Sequence, residues 1–341
     1  MANSLPSTMR AVQWTSIAGG IEKNLKVNTT APVPTAPTNS AEPSTLVKVA
    51  FSSINPVDYK LPEFAIFRAF KMSTPAIPAG DFAGTVVSTN LPNFKPGDLV
   101  FGRSDPPHFG ALAEYVVVNG RDNVVKLPKG VSMESAATLG VAGLTAYQCI
   151  APFTKEGSKV FINGGSGGTG TFGIQIAKIL GCRVTTTCSG ANVELCQSLG
   201  ADEVIDYRTT DVVKHLQRQG TQYDLLVDNV GSLELYWNAH DYLKADGLYI
   251  NIAGTATLSH VLNVLKVSYL PAWLGGGQRA AMFLRRKSNE ADFAQIAQWI
   301  AEGKLRPVIE KVYALDEAAE AFARLKTGKS KGKLVIKVAD E

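Results

Sequence analysis

Cysteine and histidine are scarce in this chain, with four of each in 341 residues. Cys149, Cys182, Cys188 and Cys196 form no C-x-x-C pair, which excludes a disulfide framework and a zinc ribbon. They fit small hydrophobes, mostly buried, in a reducing compartment. No window approaches ~18 uncharged apolar residues, so no membrane-spanning helix is expected. Residues 1–10 carry neither an apolar signal core nor an Arg-rich amphipathic stretch, and the expected address is cytoplasmic. Lys and Arg exceed Asp and Glu by only 34 to 30 and are scattered, which argues against a nucleic-acid partner. Hydrophobic residues at 45% and charged residues at 19% exclude a disordered chain. At about 150 residues per domain, the length corresponds to two domains.

The rhythm changes near Pro128. Before it, β-rich pieces at 12–14, 46–54, 83–89, 99–103, 113–118 and 124–127 are separated by turn residues. Pro96-Gly97 has the pattern of a type II turn, and 31–43, with four prolines, reads as a surface loop. After it, strands at 159–163, 183–187, 203–207, 224–230 and 248–253 alternate with helices at 169–180, 192–199, 212–219 and 233–243. That alternation predicts a doubly wound parallel sheet with helices on both faces. Two further helices, 290–302 and 315–326, and a strand, 333–338, complete the pattern.

Glycine is where the sequence is rich, and its clustering is informative. An apolar strand runs through Val160-Phe161-Ile162-Asn163 into Gly164-Gly165-Ser166-Gly167-Gly168-Thr169-Gly170, and a helix follows. Missing Cβ atoms let a diphosphate approach the backbone, and a helix N-terminus adds partial positive charge. Gly165, Ser166, Gly167, Gly168 and Thr169 are the candidate grip; the alternative is a plain tight turn. The second strand ends at Cys188-Ser189-Gly190 without the acid that would bind a ribose 2′-OH, so NADPH is the expected cofactor. Ser189 offers a hydroxyl, and Tyr207 and Arg208 follow the next strand on the adenine side.

With these residues in hand the chain resembles the zinc-independent quinone oxidoreductase (zeta-crystallin-like) branch of the medium-chain dehydrogenase/reductase superfamily. The resemblance is carried by Asn55-Pro56-Val57-Asp58-Tyr59-Lys60, Gly80-Asp81-Phe82-Ala83-Gly84, Phe94-Lys95-Pro96-Gly97-Asp98, Gly143-Leu144-Thr145-Ala146, the glycine turn, 199–207 and Gly332-Lys333. Within the branch it is similar to the chloroplast-envelope and mitochondrial reticulon-interacting members. The resemblance implies an α/β protein: a mostly-β, GroES-like catalytic domain over 1–128, a Rossmann domain over 129–287, and completion of the catalytic domain by 288–341. Zinc-dependent relatives carry a Cys near 53–58 and His-Glu after Gly80; here there is no such Cys, and Asp81-Phe82 takes the second place, so no metal is expected. Asp81 then reads as a structural hydrogen-bonding residue.

The implied chemistry is hydride transfer from NADPH to the β-carbon of a small apolar enone or enal, or to a quinone, with catalysis by placement and by donors aimed at the distant oxygen. Asn55 is the expected catalytic donor, set against a plain turn-forming Asn before proline. Tyr59 is a phenol donor or a half-buried aromatic, and Lys60 reads as a solvated charge. Both Asn55 and Tyr59 would touch substrate. Thr145 matches a family position beside the nicotinamide, against a helix-interior Thr bonding its own backbone. Val230, Ala253 and Gly254 follow strand C-termini, where ligands of open α/β sheets sit. Lys333 resembles a family residue near the cofactor ribose, or is surface charge; His108 reads as a solvated loop residue. Trp273 and Leu274, next to three glycines, suggest a flap over the substrate. The basic run after them reads as a solvated face, with contact to an anionic membrane surface the lesser alternative. A homodimer is a further expectation from the family. Two rival functions stand beside the first: a trans-acting enoyl reductase in lipid or secondary-metabolite biosynthesis, and a cofactor-binding but inactive structural or binding protein.

Overall fold

The computed structural model describes residues 5–35, 42–65, 68–69, 72–253, 278–284 and 287–340. The chain divides into two compact units, Met1–Leu144 with Ser288–Glu341, and Thr145–Lys287.

In the first unit, β1 (Thr8–Gln13) and β2 (Lys26–Pro32) form an antiparallel ribbon. β2 takes in the start of the stretch expected to be loop. The long strand β3 (Ser44–Ile54) is buried along its length except at Lys48, because it is an interior strand with both faces covered. α1 (Pro56–Glu63) follows; Pro56 suits a helix start, where its missing N–H is not needed. β4 (Asp81–Thr89), β5 (Leu99–Arg103), β6 (Tyr115–Asn119) and β7 (Val124–Lys126) extend the sheet by antiparallel pairing. Gly97 sits at φ +89° and Asp98 N–H donates to Lys95 O at 3.1 Å, which is the turn expected at Pro96-Gly97.

The second unit is a six-stranded, wholly parallel sheet. It comprises β8 (Lys159–Asn163), β9 (Arg183–Cys188), β10 (Glu203–Asp206), β11 (Tyr223–Asp228), β12 (Leu243–Asn251) and β13 (Ala280–Phe283). The spatial order β10-β9-β8-β11-β12-β13 is the doubly wound dinucleotide-binding order, and it reverses direction between β8 and β11. The longest helix leaving the β8 end is α2 (Gly168–Ile179).

Beyond 287 the chain returns to the first unit. α3 (Glu290–Ala301) covers one face of its sheet, where Phe293 meets Phe101 edge-on with centroids 5.9 Å apart. β14 (Ile309–Ala314) pairs in parallel with β15 (Lys333–Lys337), and β15 pairs antiparallel with the C-terminal half of β3. α4 (Ala318–Lys326) lies on the other face, with Phe322 in one core with Trp14, Val47, Phe82 and Ile336.

Candidate functional site

In the second unit, β8 ends at Asn163 and the backbone turns at Gly164, whose φ of +82° is the left-handed region only glycine enters freely. Gly164 N–H donates to Thr187 Oγ1 at 2.9 Å and Gly165 N–H to Thr187 O at 2.8 Å, so the turn is stitched to β9. A Cβ on Gly165 would lie 2.1 Å from Thr186 Oγ1, and one on Gly170 would lie 2.2 Å from Gly164 O. These glycines let strand, turn and helix close on one another. α2 starts after Gly167 with no side-chain cap. Its first N–H groups therefore have no acceptor within the helix, which is the condition for binding an anion there. Ser166, Gly167, Gly168 and Thr169 are all partly exposed, while Gly165 is buried.

The tip of β9 holds a cluster that reading the sequence did not find. Asn192 donates to Ser166 Oγ at 3.1 Å and to Ser189 Oγ at 3.3 Å, which brings two expected residues together through a third. The oxygen Asn192 Oδ1 is buried without a partner. Asp206 was also missed: a Cβ on Gly190 would come within 2.7 Å of its carboxylate, so an acid does approach this tip, from β10 instead of β9. Tyr207 is 55% exposed and its N–H donates to Cys188 O at 3.1 Å.

At the other side of the turn, Val230 is 63% exposed, and a Cβ on Gly164 would sit 3.0 Å from its Cγ2. Ala253 Cβ lies 3.1 Å from the place a Gly231 Cβ would take. The loops after β8, β11 and β12 thus meet at this end of the sheet. The neighbouring Asn229 has both amide atoms buried and unpartnered. Thr145 is buried at the start of this unit in the helix Leu144–Ile150. Gly254, Trp273 and Leu274 lie outside the described residues.

In the first unit the register of three strands gathers a second polar group. Ser53 of β3 faces Asp81 of β4, and Ile54 faces Leu334 of β15, so Asn55, Asp81 and Lys333 converge at one end of the sheet. All three are buried, at 3%, 0% and 3% exposure. Lys333 is therefore no surface charge. Its ammonium donates to Asn55 Oδ1 and, at 3.1 Å, to Ile54 O, and lies 3.7 Å from Asp81 Oδ2. Asn55 Nδ2 donates to Asp81 Oδ2 at 2.8 Å, and Ser53 Oγ donates to the same oxygen at 3.1 Å. A cation on the carbonyl and an anion on the amide nitrogen fix which way Asn55 faces. Gly140 belongs to this group too, since a Cβ there would lie 2.4 Å from Asp81 Oδ1. The backbone N–H of Asn55 is held by Asp58 Oδ2 at 2.6 Å.

Tyr59 stands one turn further on, its ring under the Lys326 ammonium at 5.5 Å and against the core. Burial raises its phenol above the ordinary value, more than Lys326 lowers it. Lys60 is half-buried, and burial pulls its ammonium below the usual lysine range.

Two family models match the chain: the alcohol dehydrogenase GroES-like domain over residues 41–129 and zinc-binding dehydrogenase over 199–336. The chain is 44% identical to the trans-enoyl reductase pgmF of Aspergillus terreus, over 99% of its own length and 98% of the relative's. It is 31% identical to the chloroplast envelope quinone oxidoreductase homolog of Arabidopsis thaliana, over 96% and 98%. The solved structure of the quinone oxidoreductase from Coxiella burnetii superposes with a TM-score of 0.84 at 31% identity, covering 97% of this chain and 99% of that one. The chain belongs to the medium-chain dehydrogenase/reductase superfamily, in its quinone-oxidoreductase-like group. Within that class it is a GroES-like and Rossmann oxidoreductase of a family that uses a nicotinamide coenzyme.

The second family model is named for zinc, and the residues here do not fit that ion. The carboxylate of Asp81 already accepts from Ser53 and Asn55 and faces an ammonium, which would repel a dication. Among the described residues no group of three His, Cys, Asp or Glu side chains gathers elsewhere. Nor, among them, is any helix long and apolar enough to cross a membrane.

Proposed function

We propose that this protein is an NADPH-dependent, zinc-independent reductase of the double bond conjugated to a carbonyl, acting on an enone, enal or quinone. The reading rests on one observation above all: the uncapped N-terminus of α2 behind a glycine turn, at the switch point of a doubly wound sheet. Ser166 to Thr169 would hold the diphosphate. The neutral Ser166–Asn192–Ser189 cluster and Tyr207 would take the adenosine ribose and its 2′-phosphate, and Val230, Ala253 and Thr145 the nicotinamide end. Bound NADPH supplies a hydride for the β-carbon.

The protein's own part is then electrostatic. As negative charge gathers on the substrate oxygen, the second N–H of Asn55 Nδ2 donates to it; the first is already committed to Asp81. Lys333 on Asn55 Oδ1 keeps the amide from flipping and polarises it in the useful sense. Lys333 thus acts through Asn55 in this reading. Burial raises the Tyr59 phenol, so it stays protonated and suits a hydrogen-bond donor to the substrate oxygen better than a proton source.

The test follows NADPH absorbance against 1,4-benzoquinone, 9,10-phenanthrenequinone, 2-alkenals of several lengths and enoyl thioesters. Oxidation with at least one class is expected; none with any of them would leave the inactive binding protein as the better reading. A second reading, an enoyl reductase working in trans on a carrier-bound thioester, is favoured by the 44% identity to pgmF over nearly the whole chain. Turnover of an enoyl thioester with indifference to free quinones would select it.

A further inference from the structure

Asp228 ends β11 in register with Asn163 of β8 and Asn251 of β12, at the carboxyl edge of the parallel sheet. It is completely buried and no cation pairs with it among the described residues. A bare carboxylate there would be very costly, so its partners must offset the burial. It has five, all neutral. Oδ1 accepts from Asn163 Nδ2 at 2.8 Å and from the N–H groups of Val230 and Gly231 at 2.9 Å each. Oδ2 accepts from Ser232 N–H and from Tyr249 Oη, both at 2.6 Å. Three consecutive backbone amides are thereby turned inward onto one side chain, and the loop they belong to lies against Gly164. That orientation leaves the Asn229 amide, unpartnered at both ends, and the exposed Val230 beside the glycine turn.

The same carboxylate reaches the turn itself. Asn163 gives its Nδ2 to Asp228 and takes the Thr187 hydroxyl proton on Oδ1 at 2.6 Å. Thr187 Oγ1 in turn accepts Gly164 N–H at 2.9 Å. The chain Gly164–Thr187–Asn163–Asp228–Val230 is continuous; its first three hydrogen bonds join residues far apart in sequence, and the last is the local turn from Asp228 to Val230. Each member has its donor and acceptor roles fixed by its neighbour, so breaking one bond leaves the next without its partner.

We propose that Asp228 is a positioning residue that locks the 229–232 loop to the diphosphate-binding turn through Asn163 and Thr187, so that seating the diphosphate also sets the loop that meets the nicotinamide end. This rests on the coenzyme reading above for its purpose, while the lock itself is a property of the ligand-free protein.

The experiment measures amide hydrogen exchange at 230–232 in the full chain. Without ligand, Asp228→Asn should speed exchange there at least ten-fold. Thr187→Val, whose side chain touches none of those amides, should speed it several-fold; in an Asn163→Ala background it should add nothing further. Unchanged exchange in Thr187→Val would overturn the lock, even if Asp228→Asn has a strong local effect. With ADP, which carries the diphosphate and lacks the nicotinamide half, protection of 230–232 should rise in the parent protein and not in Asn163→Ala, at comparable ADP affinity. Equal protection in both would also overturn it. If the parent protein binds neither ADP nor NADPH, the coenzyme reading falls, and the ligand-free measurements still decide whether the lock exists.

Discussion

Replacing Lys333 by methionine removes the cation beside the buried Asp81 carboxylate while keeping an unbranched side chain of similar length. At 3.7 Å, two unit charges attract by about 4–5 kcal/mol at an effective dielectric of about 20. Removing one partner of a buried pair typically costs about 3–5 kcal/mol, because the other charge is left without compensation. Asp81 retains Ser53 and Asn55 as donors, which places the expected loss near ~3 kcal/mol, at the lower end of that range. In a chain of 341 residues that lowers the thermal midpoint by about 4 °C. The assay is urea and thermal unfolding of the parent, Lys333→Met, Asp81→Asn and the double variant. The double variant should recover most of the loss, since neither position then holds a charge. A Lys333→Met protein within ~1 kcal/mol of the parent, or a double variant as damaged as the two singles summed, would refute the argument. The same substitution frees Asn55 Oδ1, so kcat should fall while coenzyme affinity stays within a factor of about two.

Gly170→Ala forces a Cβ to within 2.2 Å of Gly164 O, and titration calorimetry should show NADPH binding weakened at least ~10-fold. Asp206→Asn removes a carboxylate beside the β9 tip; the ratio of NADPH to NADH affinity should rise about 2–5-fold, as expected for one partly screened charge. Burial pushes the Asp202 carboxyl up, but the Val184 N–H at 2.7 Å and the Lys178 ammonium outweigh it and hold the group below its ordinary value. A lowered value means stability that is present above about pH 4 and lost as acid is added below it. Acid unfolding should therefore separate Asp202→Asn from the parent at neutral pH and bring the two curves together in strong acid.

Much of the fold was legible because its signals are local. The strands at 99–103 and 159–163 and the helix at 212–219 fall where the apolar pattern put them. The βα alternation is equally a local pattern, and the glycine turn follows from a run of adjacent residues. What escaped has physical reasons. β2 and β14 are partly exposed strands whose polar residues break the apolar alternation, and β13 is four residues long. α1 begins at one proline and contains another, which reads as a break although Pro56 is well placed at a helix start. The helix expected over 233–243 stops at Trp237, because Leu243 already opens β12. The buried polar group was the hardest to see: Asn55 and Lys333 are 278 residues apart, and a lone lysine near the end of a chain looks like surface until the strand register is known. Asn192 and Asp206 likewise gain meaning only from a neighbouring loop or strand.

β15 has a consequence for how the molecule is made. The C-terminal half of β3, an apolar segment synthesised early, finds its partner on one side only when residues 333–337 exist. Residues 145–287 leave the ribosome in between and hold all the strands of their own parallel sheet, so that unit can fold first. Until then an apolar edge is unpaired on that side and can pair with another extended chain, so the interval before the last strand docks favours aggregation.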